Sequence, residues 1–273
     1  MDARLQLRVQ RYGWDRAASY YEQFWSRQLQ PVQDALLDCA ALQSGEDVLD
    51  VACGTGLVTR RAGELTGGTG SVVGADLSES MLAAARAESS QRERAPTYRQ
   101  MNAEQLDFPD ASFDVVLCAL GLMYVPDPVR AIAEMCRVVR PGGRVVVSVW
   151  GARAECGWAE IFPIVERRVA SDVCPLFFQL GSGRTLADRM SAEGLQQVQS
   201  RHLPAVLQYS SADDAIGAAF AGGPVALAYA RFDDEAREAA HADYLESIKQ
   251  YRVDGGYEVP GAFVIAQGVT ATA

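Results

Sequence analysis

Apolar and polar positions along this chain switch between two periods, and the switches mark out its elements. Val48-Leu49-Asp50-Val51-Ala52 is a short apolar run that passes directly into Cys53-Gly54-Thr55-Gly56, and from Leu57 to Leu65 the apolar spacing turns helical. A strand, a glycine turn and a helix in that order predict the opening unit of a doubly wound α/β sheet. The same reading predicts strands at Ser71–Asp76, at about Thr97–Met101, at Val115–Ala119, at the β-branched run Arg144–Trp150, at Gln196–Gln208 and at Ala262–Ala266. Seven strands are expected in all. Ahead of the first strand, Trp14, Ala18, Tyr21 and Trp25 recur at helical spacing to about Gln28. Pro31 then suits the first turn of a second helix carrying Val32, Leu36 and Cys39, which Gly45 stops. Asp127-Pro128 reads as a cap and first-turn proline for a helix that buries Ile132, Met135, Cys136 and Val139. Later helices are expected over Gly157–Ala170 and Thr185–Glu193, and as a pair or one long helix over Val225–Tyr251.

The glycine turn has a chemical signature. Glycine is favoured where a turn is tight and where a ligand approaches the backbone without meeting a Cβ. The third glycine of a dinucleotide fingerprint is replaced by Thr59, and an acid, Asp50, sits in the strand just before the loop. A negative charge without a tight diphosphate loop suits a cationic ligand. Asp76 ends the second strand 26 positions after Asp50 (76 − 50). A carboxylate there accepts from both hydroxyls of a ribose diol.

At Asp50-Val51-Ala52-Cys53-Gly54-Thr55-Gly56 the chain resembles the class I S-adenosylmethionine-dependent methyltransferases, in particular the small-molecule branch near the ubiquinone and menaquinone methyltransferases. The resemblance continues through Asp76-Leu77-Ser78 to Met81-Leu82, Asn102-Ala103-Glu104, Leu106 to Asp114, and Arg140-Pro141-Gly142-Gly143. It implies a Rossmann-like methyltransferase fold, α/β and doubly wound, with a seven-stranded mostly parallel sheet whose last strand is antiparallel. It divides the chain into an N-terminal helical lid (1–43), a cofactor-binding core (44–150), a helical insertion forming a substrate cap (151–195) and a C-terminal part of the sheet with helices (196–273). The cofactor implied is S-adenosylmethionine, leaving as S-adenosylhomocysteine. Its implied contacts are Tyr21, Asp50, Ala52, Gly54, Gly56, Asp76, Leu77, Met81, Asn102, Ala103, Glu104 and Cys118. Asn102 stands where the family usually has Asp, and its amide oxygen can accept the same hydrogen bond without charge assistance. By the same resemblance, the loop Ala119–Tyr124 borders the methyl group and the substrate.

Candidate substrate-pocket residues are Trp14, Leu120, Met123, Phe177 and Phe178. The aromatic density of Tyr12, Trp14, Tyr20, Tyr21, Phe24 and Trp25 reads either as a helix packed on the body or as a lid. Pro175-Leu176-Phe177-Phe178 reads either as a pocket wall or as a satellite core cluster. The implied reaction is attack by an O, C or N nucleophile on a sulfonium methyl, which needs positioning more than a protein nucleophile. A general base is not assigned; Tyr21, Tyr124 and His241 are candidates, with Tyr20 and His202 beside them. Two other readings stay open: a methyltransferase fold using the cofactor as a prop for a cyclisation or elimination, and a nicotinamide-dependent dehydrogenase, against which Thr59 speaks.

Composition narrows the partners. The 273 residues carry a net charge of -10, which lacks the basic footprint of a nucleic-acid binder and disfavours an anionic membrane surface. No run of about 18 apolar residues suggests a membrane span, and Met1–Gln10 has no signal-peptide core. Six cysteines form no C-x-x-C pair and do not fall at metal-ligand spacing with His202 or His241, so no metal is expected and the thiols suit a cytoplasmic protein. The expected partner is a small-molecule acceptor, with association through the N-terminal helices as the route to a homo-oligomer.

Overall fold

The structure is a computed structural model that describes residues 3–67, 69–92, 94–169 and 177–272. Its centre is a mixed sheet in the order β3-β2-β1-β4-β5-β8-β6, with a two-residue strand β7 paired to β8. The strands are β1 (Val48–Val51), β2 (Val72–Asp76), β3 (Thr97–Gln100), β4 (Phe113–Ala119), β5 (Val139–Trp150), β6 (Gln196–Tyr209), β7 (Arg252–Val253) and β8 (Gly256–Val269). β1 to β5 run parallel, and β8 lies antiparallel between β5 and β6. The expected doubly wound, mostly parallel sheet is therefore present, with β7 as a small hairpin addition. Its order reverses between β1 and β4, where the ends of two adjacent strands open a crevice.

The first helix differs from the sequence pattern. A single helix, α1, runs from Ala3 to Ala40 with Pro31 inside it. Pro31 lies on the exposed side of the helix. On the other side Leu29, Val32, Ala35 and Leu36 are all buried, and that continuous apolar contact offsets the cost of the proline. Gln28 also spans from α1 to the sheet, accepting from the Gln208 N–H at 2.9 Å and donating to its carbonyl.

Arg144 Nε donates to the Ala40 carbonyl at 2.8 Å, and Trp25 meets Trp150 edge to face with centroids 6.1 Å apart. The C-terminal part of α1 thus crosses one sheet face from the start of β5 to its end. Its N-terminal part projects beyond the strand ends. The register Asp50↔Leu117, Leu117↔Val146 and Ala119↔Ser148 puts these residues on one face, because neighbours across parallel strands point the same way.

The remaining helices are α2 (Leu57–Thr66), α3 (Glu79–Ser89), α4 (Pro128–Val138), α5 (Ile161–Glu166), α6 (Thr185–Ala192), α7 (Ala212–Ile216), α8 (Ala226–Tyr229) and α9 (Asp234–Ser247). Ser78 and Asp127 cap α3 and α4 through their side chains. α5 is shorter than Gly157–Ala170: turns at Cys156–Ala159 and Trp158–Ile161 precede it, and Ala170 lies outside the described residues. Val225–Tyr251 resolves into two helices. Arg140-Pro141-Gly142-Gly143 is an excursion inside β5, where the register jumps between Phe113 and Val115, with Gly142 at φ 77°. A five-residue π-helical segment, Gly217–Ala221, follows α7 and packs on Phe24 of α1.

Candidate functional site

The cleft lies where β1 and β4 end. Ala52 and Leu120, the residues just beyond those strands, both take left-handed conformations, at φ 56° and 58°. Non-glycine residues held there mark strained, over-determined turns. Gly121 follows Leu120, and a Cβ on it would sit 2.3 Å from the Ala52 Cβ. The two loops approach so closely that only glycine fits. Gly56, at φ 80°, faces away from the cleft, and a Cβ there would meet the Tyr98 hydroxyl at 2.6 Å. Its contribution is the turn rather than a ligand contact.

The carboxylates are positioned by the same loops. Asp50 is 1% exposed; one oxygen accepts from Thr59 Oγ1 at 2.6 Å and the other has no partner. Thr59, which replaces the third fingerprint glycine, therefore orients the acid. Burial, with Asp76 as a minor like-charge contribution, pushes Asp50 up to about 7, against the opposing Thr59 bond. Asp76 accepts from the Gly54 and Ser78 N–H groups, both at 2.8 Å, and joins the glycine loop to the end of β2. Burial raises it too, while those backbone bonds hold it down.

The side of the cleft facing the strand ends comes from α1. Asp15 accepts from Ser78 Oγ at 2.6 Å, and Glu22 pairs with Arg60 of α2 at 3.0 Å. These contacts bring Leu7, Gln10, Trp14 and Tyr21 over the strand ends. Trp14 stands edge-on to Tyr124 at 4.9 Å and to Tyr21 at 5.9 Å. Burial, then Asp76, Glu22 and Asp50, hold the Tyr21 phenol well above its ordinary value. Gly223 and Pro224 close another wall, and Ala226 packs with Ala17 and Met81.

The resulting cleft opens between the strand-end loops and α1. Of the expected contacts, Tyr21, Asp50, Ala52, Gly54, Asp76, Leu77, Met81, Asn102 and Ala103 line it, as do Trp14, Leu120 and Tyr124. Asn102 Oδ1 already accepts from the Glu104 N–H at 3.1 Å, and its second lone pair remains for a ligand.

Several expected positions lie elsewhere. Glu104 is buried and accepts from the Asp127 N–H at 2.9 Å, so it caps the approach to α4. Cys118 is buried inside β4, where alternation turns it to the face opposite the lining residue Ala119. Met123 is buried behind the loop. Phe177 and Phe178 do not line the cleft. They pack with Trp158 and Phe162, and Phe177 supports Tyr124 from behind at 5.4 Å. Cys174, Pro175 and Leu176 lie outside the described residues. No described residue of 151–195 lines the cleft; α1 and the segment around Gly223 do.

The histidines are also elsewhere. His241 shares a hydrogen bond with the Tyr229 hydroxyl at 2.9 Å, and burial lowers its pKa. His202 sits on β6, 2.8 Å from Glu155. Tyr20 is exposed at 47%. Leu29, Gln33, Thr55 and Trp150 line the cleft without having been expected there, and Trp25, one of the aromatics read either as packing or as a lid, lines it too. Their only sequence signal is the helical spacing of Trp25, Leu29 and Gln33 with Tyr21, which reads equally as core. Among the described residues no group of three or more His, Cys, Asp or Glu gathers as a metal site, and no helix is long and apolar enough to cross a membrane.

Comparison with known proteins places this geometry. Residues 49–147 match the methyltransferase domain family. A ubiquinone/menaquinone biosynthesis C-methyltransferase from Psychromonas ingrahamii is 43% identical over 115 residues, 41% of this chain and 45% of the relative. The match thus covers less than half the length of that relative. Among solved structures, the YcgJ protein of a Bacillus superposes with a TM-score of 0.63 at 18% identity, over 88% of this chain and 98% of that one. A phosphoethanolamine N-methyltransferase from Haemonchus contortus, in complex with S-adenosylhomocysteine, gives 0.63 at 18% identity over 94% and 58%. At such identities these two structures speak for the fold alone. The motif match and the fold agree: residues 49–147 of this chain are similar to the methyltransferase domain family.

Proposed function

We propose that the protein transfers a methyl group from S-adenosylmethionine to an O or C nucleophile, less readily N, of a small, rather apolar or aromatic metabolite. The observation that carries this is Asp50. Its unpartnered oxygen is buried, and the cleft has no lysine, arginine or histidine among its described lining residues to neutralise it. A buried carboxylate without a counter-charge is a seat for a cation, and the sulfonium cofactor brings one. Asp76 would hold the ribose diol, Asn102 and Ala103 the adenine edge, and Met81 the ring face.

Bound there, the cofactor supplies an electrophilic methyl on a good leaving group. The chain's own residues position and desolvate. The aromatic walls of Trp14, Tyr21, Tyr124, Trp25 and Trp150 suit a flat apolar acceptor. α1 excludes water, and holding two reactants in attack geometry lowers a barrier by roughly 7–11 kcal/mol. No histidine faces the cleft, so an acidic phenol or an activated carbon suits it better than an alcohol. The free thiols at Cys39, Cys53, Cys118, Cys136 and Cys156 suit a reducing cytoplasmic setting.

Calorimetric titration with S-adenosylmethionine and S-adenosylhomocysteine tests the cofactor. A screen of phenols and quinols for added methyl mass tests the reaction. Micromolar binding and methyl gain support the proposal. Binding with acceptor turnover but no methyl gain would favour the cofactor-as-prop reading, and no binding of either cofactor form would overturn both.

A further inference from the structure

The cleft does not end at the strand ends. Trp25, Leu29 and Gln33 all line it and follow one another at i, i+4 and i+8 along α1. They share one stripe of the helix. Trp25 packs on Trp150 of β5, which puts that end of the arm over β5. The residues suited to the cofactor, Asp76, Met81 and Asn102, belong to the β2–β3 half. The Trp25 end of the arm therefore lies on the side of the sheet away from them.

Its far end is polar in an otherwise apolar passage. Gln33 is 6% exposed, yet its side chain takes part in none of the hydrogen bonds found among the described residues. Gln33 is one of the residues that line the cleft. Ser148 lies two residues before Trp150 on the same strand and the same face of the sheet. It is fully buried with its hydroxyl unpartnered. A buried amide without a partner costs folding free energy unless something polar fills the space beside it. A core position at this spacing would ordinarily take a leucine, as Leu29 does one turn earlier.

We propose that Gln33 is a specificity-determining contact for the acceptor, reading an uncharged hydroxyl, carbonyl or amide at the end remote from the reacting atom. The proposal rests on the methyltransferase reading for where the reacting end lies. Helical rise puts Gln33 about 18 Å along α1 from Tyr21 and about 12 Å from Trp25. The acceptor class is therefore an elongated molecule with a ring-like reactive head, an apolar middle and a neutral polar terminus. A carboxylate or phosphate terminus does not fit, because the described lining offers no cation to pair with it.

The test uses the full chain with 4-(6-hydroxyhexyl)phenol and 4-hexylphenol as probes, titrated calorimetrically with and without saturating S-adenosylhomocysteine. The wild type should bind the hydroxyl-ended probe at least tenfold more tightly, since the plain probe leaves the amide unpaired. Gln33→Leu should abolish or reverse that preference, with S-adenosylhomocysteine affinity within twofold of wild type. Gln33→Met, closer in shape, serves as the second variant, and thermal melts confirm that both are folded. Equal binding of the two probes by the wild type, no binding of either, or a preference that survives both substitutions would overturn the proposal. So would a tenfold loss of S-adenosylhomocysteine affinity in Gln33→Leu, which would assign the amide to the cofactor. Failure of S-adenosylhomocysteine to bind the wild type, with the probes still discriminated, would count against the methyltransferase reading instead.

Discussion

Asp15 on α1 accepts a hydrogen bond from the Ser78 hydroxyl at 2.6 Å, while the same hydroxyl accepts from the Met81 N–H at 3.1 Å. One serine thus caps α3 and ties the projecting half of α1 to the end of β2. Asp15 also accepts from the Ser80 N–H at 3.2 Å, so its charge sits at the positive end of α3. The N-terminal half of α1 and the loop after β2 are one hydrogen-bonded unit.

That unit makes the attachment of α1 testable. Asp15→Ala should cost about 1 kcal/mol of stability, because a part-exposed charge-assisted contact is lost and Ser78 can turn to water. Faster amide exchange over residues 4–20, with protection of β1 and β4 unchanged, would show that half of α1 loosening alone. Uniform loss of protection would mean that α1 is integral to the core along its whole length.

Asp76→Ala should weaken S-adenosylhomocysteine binding by about 1.5–3 kcal/mol in calorimetry, as a charge-assisted pair of hydrogen bonds disappears. Asp76 also holds the Gly54 and Ser78 N–H groups. Asp76→Asn, which keeps one acceptor, should fall between wild type and Asp76→Ala. Unchanged affinity in both would remove Asp76 from the cofactor site.

Asp50 gives a pH dependence with a defined sign. Its pKa in the fold is about 7, above the ordinary carboxylate value, because burial disfavours the charge. The folded state therefore holds a proton that the unfolded chain has released between about pH 4 and pH 7, and stability falls as pH rises through that window. Asp50→Asn should stabilise the ligand-free protein at pH 8, by roughly 4 kcal/mol at most, and denaturant titration at pH 5 and pH 8 checks it. A sulfonium favours the ionised form. Affinity for S-adenosylmethionine should thus rise from pH 6 to pH 8 more steeply than affinity for neutral-sulfur S-adenosylhomocysteine. Parallel slopes would mean that Asp50 does not sense the sulfonium.

The histidines should be dispensable. Neither lines the cleft, and each has its own partner, Tyr229 or Glu155. His241→Gln and His202→Gln should keep kcat/KM within about threefold, a ΔΔG‡ under about 0.7 kcal/mol. A tenfold loss in kcat with unchanged KM would return one of them to the list of bases.

The strand-end part of the cleft was legible in the chain because its pattern is local. Asp50, Gly54, Asp76, Asn102 and Ala103 sit at strand ends or in the turns just after them, and Met81 in the first turn of α3, where the parallel order brings them to one edge. Glycine turns and strand-end acids carry that information in a few consecutive residues. Cys118 and Glu104 were misjudged within the same stretches. Which face a strand residue takes, and which distant N–H a carboxylate meets, depend on neighbours far along the chain.

The sequence by itself determined the strand–turn–helix units, the glycine loop and the two acids, since short-range spacing and backbone sterics decide those. Only the tertiary structure decided that α1 passes unbroken through Pro31, because burial of Leu29, Val32 and Leu36 outweighs a local proline rule. It likewise decided that Phe177 and Phe178 support Tyr124 rather than face a ligand, and that Gly223, Trp25 and Gln33 do line the cleft. Apolar and amide side chains have no sequence mark that separates a cavity wall from a core. That difference is set by whether the opposing element reaches them, and here α1 stands off from the sheet along one stripe.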